Sequence, residues 1–286
     1  MSNNFPAWIT KEMVKNIKSF NLDAYLLALE GWRRGLTLRW YYDASHVSNI
    51  KLIGFNPIGK IFSLSTSERT HFFYRSRGDK VSNMSVDIGT DKEKAKLLLL
   101  KNKVKTPLGK SFDGKKTKND ITKYAVKHLS FPIVVKPTFG SLGNGVFTNI
   151  NTTDEIHEAI DYIRLELGYE DILVEEFIVG KDVRVYVVGD KVVAASIREP
   201  AHVVGDGYST IEELIEIKNK ERSNNPYLAS RKIKVDYQLI DFISRNSYSI
   251  NSVPDKGESV QLLGNNNVSS GGDSENITDV LSNNIK

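Results

Sequence analysis

Apolar residues recur along this chain in two ways, with the period of a helix face and with the alternation of a strand. Leu22, Tyr25, Leu26 and Leu29 stand at i, i+3, i+4 and i+7, which puts them on one side of an α-helix. Gly35 is placed to end that helix, and Leu36-Thr37-Leu38-Arg39-Trp40-Tyr41 then alternates like a half-buried strand. Residues 62–73 hold more strand-like sequence. Residues 91–103 read as a helix with Leu97, Leu98, Leu99 and Leu100 on its buried side. The first ninety residues therefore predict a small mixed α/β unit.

A second unit begins near Thr106-Pro107. Ile121, Tyr124, Ala125 and His128 share a helical face, and Phe131-Pro132-Ile133-Val134-Val135 is a short apolar strand closing on Lys136-Pro137. Thr152 and Glu155 have capping-box spacing ahead of a helix with Ile156, Ala159, Ile160, Ile163 and Leu167 inward. After a strand at Ile172-Leu173-Val174, residues 183–188 and 191–197 flank Gly189-Asp190 and predict a β-hairpin with a two-residue turn. Strict alternation through that turn places Arg184 and Arg198 on opposite faces, unless a bulge intervenes. Ser209 and Glu212 form another capping box, opening a helix with Ile211, Leu214 and Ile215 inward. The Asn-, Ser- and Gly-rich stretch 264–276 reads as loop, and no internal repeat is present.

Composition narrows the picture. The chain has 286 residues, 40% hydrophobic and 26% charged, enough to bury a core and to exclude global disorder. The longest aliphatic run of the first half, Leu97 to Leu100, is far too short to span a bilayer, and the polar N-terminus lacks the apolar segment of a secretory signal. Cysteine is absent, which excludes disulfides, thiolate metal sites and a cysteine nucleophile, and accords with a reducing cytosol. The expected location is cytoplasmic. The net charge of +4 is compatible with an anionic ligand but does not by itself indicate nucleic acid. Lysines 101, 103, 105, 110, 115, 116 and 118 cluster with a single aromatic, Phe112, among them, so a solvated lysine-rich linker is expected there.

Two constellations carry candidate chemistry. Lys136 ends a strand, and Gly140-Ser141-Leu142-Gly143-Asn144-Gly145 follows; glycines let backbone N–H groups approach phosphate oxygens, and the lysine adds charge. The loop is neither a P-loop nor a dinucleotide fingerprint, and taken alone a plain hairpin turn is an equal alternative. Next, Ile172-Leu173-Val174 runs into Glu175-Glu176-Phe177-Ile178-Val179-Gly180-Lys181-Asp182. Glu175 to Ile178 have the mix an adenine slot needs and Asp182 suits a ribose, although a surface strand ending in solvated acids explains the segment as well. The histidines, His46, His71, His128, His157 and His202, lack zinc spacing; no G-x-S-x-G occurs; and residues 75–80 read as a solvated charged turn.

Lys136-Pro137 with its glycine loop, followed by Val174-Glu175-Glu176-Phe177-Ile178-Val179-Gly180-Lys181-Asp182, resembles the ATP-grasp superfamily. The segments 198–207, Ser252-Val253-Pro254, Lys256-Gly257-Glu258 and 267–274 look like two of its branches. These are the glutathione-synthetase half of the bifunctional glutamate–cysteine ligase/glutathione synthetase and the ATP-grasp part of cyanophycin synthetase. The likeness covers residues 91–279 well and the first ninety loosely. It implies an α+β ATP-grasp fold, two α/β lobes clasping ATP. Residues 1–90 would be an N-terminal α/β region of the pre-ATP-grasp kind. Residues 91–286 would be the ATP-grasp domain, with a small lid lobe at about 106–180 and a C-terminal lobe at about 181–286 that is expected to be incomplete.

The resemblance also implies roles. Lys92 and Lys136 correspond to the two phosphate-binding lysines. Gly140, Ser141, Gly143 and Gly145 belong to the loop that closes on the triphosphate. Glu175, Glu176, Phe177 and Ile178 line the adenine, and Asp182 meets the ribose. Arg184 and Arg198 are the implied catalytic residues, facing phosphate or substrate carboxylate, while His202, Asn267, Gly271 and Gly272 are candidates to meet substrate. The implied activity is ATP-dependent ligation of a carboxylate to an amine through an acylphosphate, with ATP and Mg²⁺ as cofactors and amino acids or short peptides as substrates. Neither a membrane nor a nucleic acid is an expected partner; a homo-oligomer or a completing second chain stays open. The relatives carry a Glu-x-Asn metal motif beyond the Ser-Gly-Gly segment and an arginine at the place of Leu263, and neither is found here. Metal ligands are therefore not assigned. Asp273 and Glu275 are expected as solvated loop acids, and an ATP-binding module with impaired turnover is the alternative function.

Overall fold

The computed structural model of the protein describes residues 9–282 apart from 18, 46, 48 and 54–56. His46 and the first eight residues thus lie outside the described residues. The chain divides into two compact units, Met1–Thr90 with Ser223–Ser230, and Asp91–Arg222 with Arg231–Lys286. The segment Ser223–Ser230, inside the stretch expected to be the C-terminal lobe, groups with the first unit.

The first unit contains helices α1 (Lys11–Val14), α2 (Ser19–Arg33) and α3 (Asn83–Thr90), and strands β1 (Thr37–Tyr41), β2 (Ile61–Ser65), β3 (Thr70–Tyr74) and β4 (Arg77–Gly78). The strands form one antiparallel sheet in the order β1-β2-β3-β4. Ala24 and Ala28 of α2 are fully buried with Phe62 and Leu64. Gly35, at φ +85°, follows α2; its N–H donates to Trp32 O while Leu36 N–H returns to Gly31 O, a left-handed helix ending. Residues 75–80 depart from the expected solvated turn. Arg75 pairs with Asp23 at 2.8 Å, and Asp79 accepts from the Phe72 N–H at 2.9 Å beside His71. Arg75, Arg77 and Asp79 each have a partner within the unit, so these three charges are built in, while Lys80 is exposed as expected.

The second unit holds, in order, α4 (Lys92–Lys101), β5 (Gly109–Phe112), α5 (Lys118–His128), β6 (Ile133–Pro137), β7 (Phe147–Ile150), α6 (Thr153–Asp161), β8 (Ile172–Glu176), β9 (Asp182–Val188), β10 (Lys191–Glu199), β11 (His202–Val204), α7 (Ile211–Ser223), α8 (Tyr237–Arg245), β12 (Ser259–Gln261) and β13 (Asp273–Asn276). Strands β5-β8-β6-β7 make an antiparallel sheet in that order. Its alternation puts Ile133, Val135, Ile172 and Val174 into a core with Ile121 and Ala125 of α5 and Ile156 and Ile160 of α6. Val134, Lys136, Leu173 and Glu175 consequently face the other way. A second core joins the β11–β12 ribbon to α7 and α8 through Val203, Ile211, Leu214, Ile215, Leu239, Ile243 and Val260. Leu263 lies in this core too.

Several local expectations are corrected. No residue of α4 is buried, and Leu97 to Leu100 are 60, 45, 42 and 46% exposed. Four consecutive leucines point to every side of a helix, so no single face could take them; the side turned to the protein is the Lys92–Lys96 stripe described below. The cap of α7 falls one residue later than expected: Thr210 and Glu213 exchange the two capping hydrogen bonds, while Ser209 bonds Asp206. Half of the box at α6 forms, because Thr152 accepts from the Glu155 N–H but the Glu155 carboxylate takes the Asn151 N–H. His128 is exposed, its ring 4.8 Å from Tyr124. Lys110 and Lys118 are not free linker lysines. Lys110 lies 5.5 Å from the Phe112 ring, and Lys118 pairs with Asp161.

The hairpin resolves the question of Arg184 and Arg198. Val188 pairs with Lys191 across Gly189-Asp190, the register shifts at Val193, and Arg184 then pairs with Ser196 and Asp182 with Arg198. The bulge brings Asp182, Arg184, Ser196 and Arg198 to one face. β13 pairs along the other edge of β10. Among the described residues no helix is long and apolar enough to cross a membrane.

Candidate functional site

The site is built around Glu175. It lies near the end of β8, 8% exposed, with Gly109 of β5 opposite it. A Cβ at Gly109 would stand 2.4 Å from the Glu175 Cβ, so only glycine permits this approach. A buried carboxylate is costly unless paired, and Glu175 is paired twice. Lys136, on the same face of β6, donates to Oε1; Lys96 of α4 donates to Oε2 at 3.3 Å. The side chains of Lys96, Lys136 and Glu175 are 11, 19 and 11% exposed.

Lys92 stands one turn before Lys96. Its ammonium donates to the carbonyls of Pro137 and Thr138, both at 3.1 Å, and of Gly140 at 3.0 Å. Burial lowers its pKa, the Lys136 charge lowers it further, and Glu175 opposes both. Asp91 fixes where the helix starts, accepting from the N–H groups of Glu93 at 3.1 Å and Lys94 at 3.0 Å. The cap therefore aims Lys92 and Lys96, four residues apart, at the same end of the sheet.

The glycine loop leaves β6 at this end. Leu142, Gly143 and Gly145 take left-handed φ values of +66°, +82° and +69°. Gly143 is seated so that a Cβ would meet Asn267 Nδ2 at 2.5 Å and Asn265 Oδ1 at 2.9 Å. Gln238 of α8 fastens the far end, accepting from the Gly145 N–H at 3.3 Å and donating to Val146 O at 2.6 Å. Gly140 and Ser141 are exposed. Among the described residues the N–H groups of Gly140, Ser141 and Leu142 have no protein acceptor.

The remaining expected residues are placed as follows. Glu176 is a strand clasp: its carboxylate accepts from the Leu108 N–H, and its own N–H donates to Leu108 O, both at 2.8 Å. Phe177 N–H reaches Pro132 O at 3.4 Å, and Ile178 is 62% exposed. Asp182 is held by Arg198, whose Nε and Nη2 donate to its carboxylate at 2.8–3.0 Å. Arg184 lines an open cleft of about 590 Å³ with Tyr186, Ser196, Asn276 and Asp279.

His202 Nδ1 donates to Pro200 O at 3.0 Å. Gly271 and Gly272 are buried, and added Cβ atoms would strike Ile233 and the Glu199 carbonyl, so both serve close packing. Asn267 shapes the same turn through its backbone, its N–H donating to Asn265 Oδ1 at 3.2 Å. Asp273 is not the solvated acid expected, since Lys218 at 2.7 Å and Arg222 at 3.0 Å both hold it. Arg222 is 4% exposed and also donates to the carbonyls of Arg231, Gly272 and Val268, tying the 267–273 turn to α7. Glu275 is exposed on β13.

Lys96, Arg222 and Gln238 escaped the sequence. For Lys96 the signal was present, a lysine four residues after Lys92; the other two act through tertiary contacts that no spacing announces.

The Lys92 and Lys136 ammonium groups, next to loop amides that have no protein acceptor among the described residues, fit a polyphosphate. A metal ion is not matched in the same way. Among the described residues, no group of three or more His, Asp or Glu side chains is arranged to hold one.

Residues 89–249 match the family model described as a RimK-like ATP-grasp domain. The chain is 31% identical over 295 residues to the glutathione biosynthesis bifunctional protein GshAB of Clostridium perfringens, an alignment covering 97% of this chain and 35% of that protein. It is 36% identical over 206 residues to cyanophycin synthetase of Trichormus variabilis, covering 71% of this chain and 22% of that one. A crystal structure of a bifunctional glutathione synthetase from Pasteurella multocida aligns over 96% of this chain and 36% of that chain with a TM-score of 0.53 and 21% identity, a likeness of fold. The chain thus spans about a third or less of the length of these curated relatives. The family match covers α4, the glycine loop, the Glu175 strand end and the arginine hairpin alike, and this chain is a member of the RimK-like ATP-grasp family.

Proposed function

We propose that this chain carries the nucleotide site of an ATP-dependent carboxylate–amine ligase. The observation that carries the proposal is the convergence of Lys92, Lys96 and Lys136 on one buried carboxylate and one glycine loop. In this proposal a substrate carboxylate oxygen attacks the γ-phosphorus of ATP, breaking its bond to the β–γ bridging oxygen and giving an acylphosphate and ADP. An amine then attacks the acyl carbon, inorganic phosphate leaves, and the amine loses a proton as the amide forms. Such chemistry needs positioning and charge neutralisation rather than a protein nucleophile.

Lys92 and Lys136 would hold the phosphates, and residues 140–145 would close over them. Glu175 with the 176–178 backbone would border the adenine, and Asp182 the ribose. Arg184 and Arg198, on one face of the hairpin, would bind substrate carboxylate or transferring phosphate. Lys136 holds Glu175 and Arg198 holds Asp182, so in this proposal nucleotide binding would exchange partners at both carboxylates. Mg²⁺ bound to the nucleotide would neutralise phosphate charge, and no residue is assigned to it. Amino acids or short peptides are the proposed substrates.

The test is ADP release in the presence of candidate amino acids and short peptides, with Lys136→Ala as control. ADP formation that requires both a carboxylate and an amine, and is lost in the variant, supports the proposal. A chain that binds no ATP overturns it.

A further inference from the structure

We infer that Lys96 is a positioning residue whose task is to hold Glu175 in place of Lys136 when Lys136 turns to the nucleotide phosphates. The inference rests on the proposed nucleotide site and assigns a role to a residue that the sequence did not single out.

The geometry divides Glu175 between two cations. Lys136 takes Oε1 and Lys96 takes Oε2, so either lysine can leave without disturbing the bond made by the other. The two arrive from different elements. Lys136 lies in β6, two residues along from Val134, which is the residue directly opposite Glu175. Lys96 comes from α4, whose start is fixed by the Asp91 cap. Lys136 adjoins the glycine loop; Lys96 does not, and its side chain is the more enclosed of the two. Lys92 does not substitute, because its ammonium donates to the carbonyls of Pro137, Thr138 and Gly140 rather than to Glu175 and is itself one of the proposed phosphate ligands.

Charge accounting then sets the roles. A carboxylate as enclosed as Glu175 resists standing alone, because removing one partner of a buried pair leaves an uncompensated charge. If Lys136 were the sole partner, every phosphate it bound would leave such a charge behind. With Lys96 present, Lys136 is a spare cation, and its move to a phosphate keeps Glu175 neutralised. Lys96 touches no phosphate in this scheme and acts through Glu175.

The test is calorimetric ATP binding to the full chain as wild type, Lys96→Met, Lys96→Arg, Glu175→Gln and the Lys96→Met/Glu175→Gln double variant. Lys96→Met is expected to weaken ATP by at least about tenfold, Lys96→Arg by less than about threefold, and the Lys96→Met loss is expected to vanish when Glu175 is already Gln. A purely architectural Lys96 would lose the same affinity in both backgrounds. That result, or a Lys96→Met chain that binds like wild type, overturns the inference while leaving the nucleotide site standing. A wild-type chain that binds no ATP overturns both.

Discussion

Arg198 grips Asp182 across the β9–β10 pair with two guanidinium nitrogens, in a register one residue away from the one that the Gly189-Asp190 turn alone dictates. Val193 is the residue that makes the difference. Its neighbours Val192 and Ala194 pair with Val187 and Tyr186, so Val193 is the extra residue of the bulge. Deleting Val193 should leave every pair on both sides intact and Arg184 and Arg198 still on a common face. The expected outcome is a chain whose melting temperature and ATP affinity stay close to wild type. A loss of affinity beyond about tenfold would mean that the bulge shapes the site as well as the register.

Lys136→Ala should weaken ATP by about tenfold to a hundredfold, the scale of a lost charge-assisted hydrogen bond. AMP, lacking the β- and γ-phosphates, should be affected far less. Parallel calorimetry with the two nucleotides checks this, and equal losses would place Lys136 away from the terminal phosphates.

Nucleotide affinity should change by less than about threefold between excess Mg²⁺ and excess chelator. The described residues offer no acidic cluster to bind the ion, which would travel on the phosphates with its waters. A steep Mg²⁺ requirement for binding would contradict this.

The cap of α4 should be pH-dependent. Backbone hydrogen bonds from Lys94, and in lesser part from Glu93, hold the Asp91 carboxyl below its ordinary pKa, with burial opposing them. A carboxylate with a depressed folded pKa contributes stability that is fully present above its unfolded pKa and is lost as pH falls through the folded one. Asp91→Ala should therefore cost about 1 kcal/mol near neutrality, and the gap from wild type should close as the solution is acidified below the ordinary carboxylate range. Thermal melts of the pair across that range measure it.

Gly264 is the most tightly packed of the described glycines. A Cβ there would lie 1.6 Å from Thr148 Oγ1 and 2.9 Å from the Phe242 ring. Gly264→Ala should destabilise by about 1–3 kcal/mol, and adding Thr148→Ala should return part of the loss in melting temperature.

What could be read from the sequence follows from the range of the interactions involved. The β9–β10 turn, the existence of strands β6 and β8 and the inward Ile156, Ala159, Ile160 and Ile163 are set by neighbours in sequence, and they are where the apolar pattern put them, whereas Leu167 lies outside the core. The capping residue of α7 slipped by one because Ser209 and Thr210 both have an acid three residues on, and only the partnership of Ser209 with Asp206 decides between them. Leu97 to Leu100 misled because a run of leucines signals burial by composition, although no helix face can gather all four. Glu175 and Asp182 were legible as candidate ligands, but not as carboxylates already gripped by lysine and arginine, since those cations come from other strands and from α4.

The glycine loop is held differently at its two halves. Gln238 and Ser269 secure its second half through Gly145, Val146 and Leu142, while Phe139, Gly140 and Ser141 are exposed and the Lys92 ammonium ties that half down through the carbonyls of Pro137, Thr138 and Gly140. If residues 140–145 close over a nucleotide as proposed, they act as a flap, and Lys92 is its latch. If an arriving polyphosphate draws that ammonium to itself, the latch is released by the very ligand the flap must cover, and capture and enclosure become a single event.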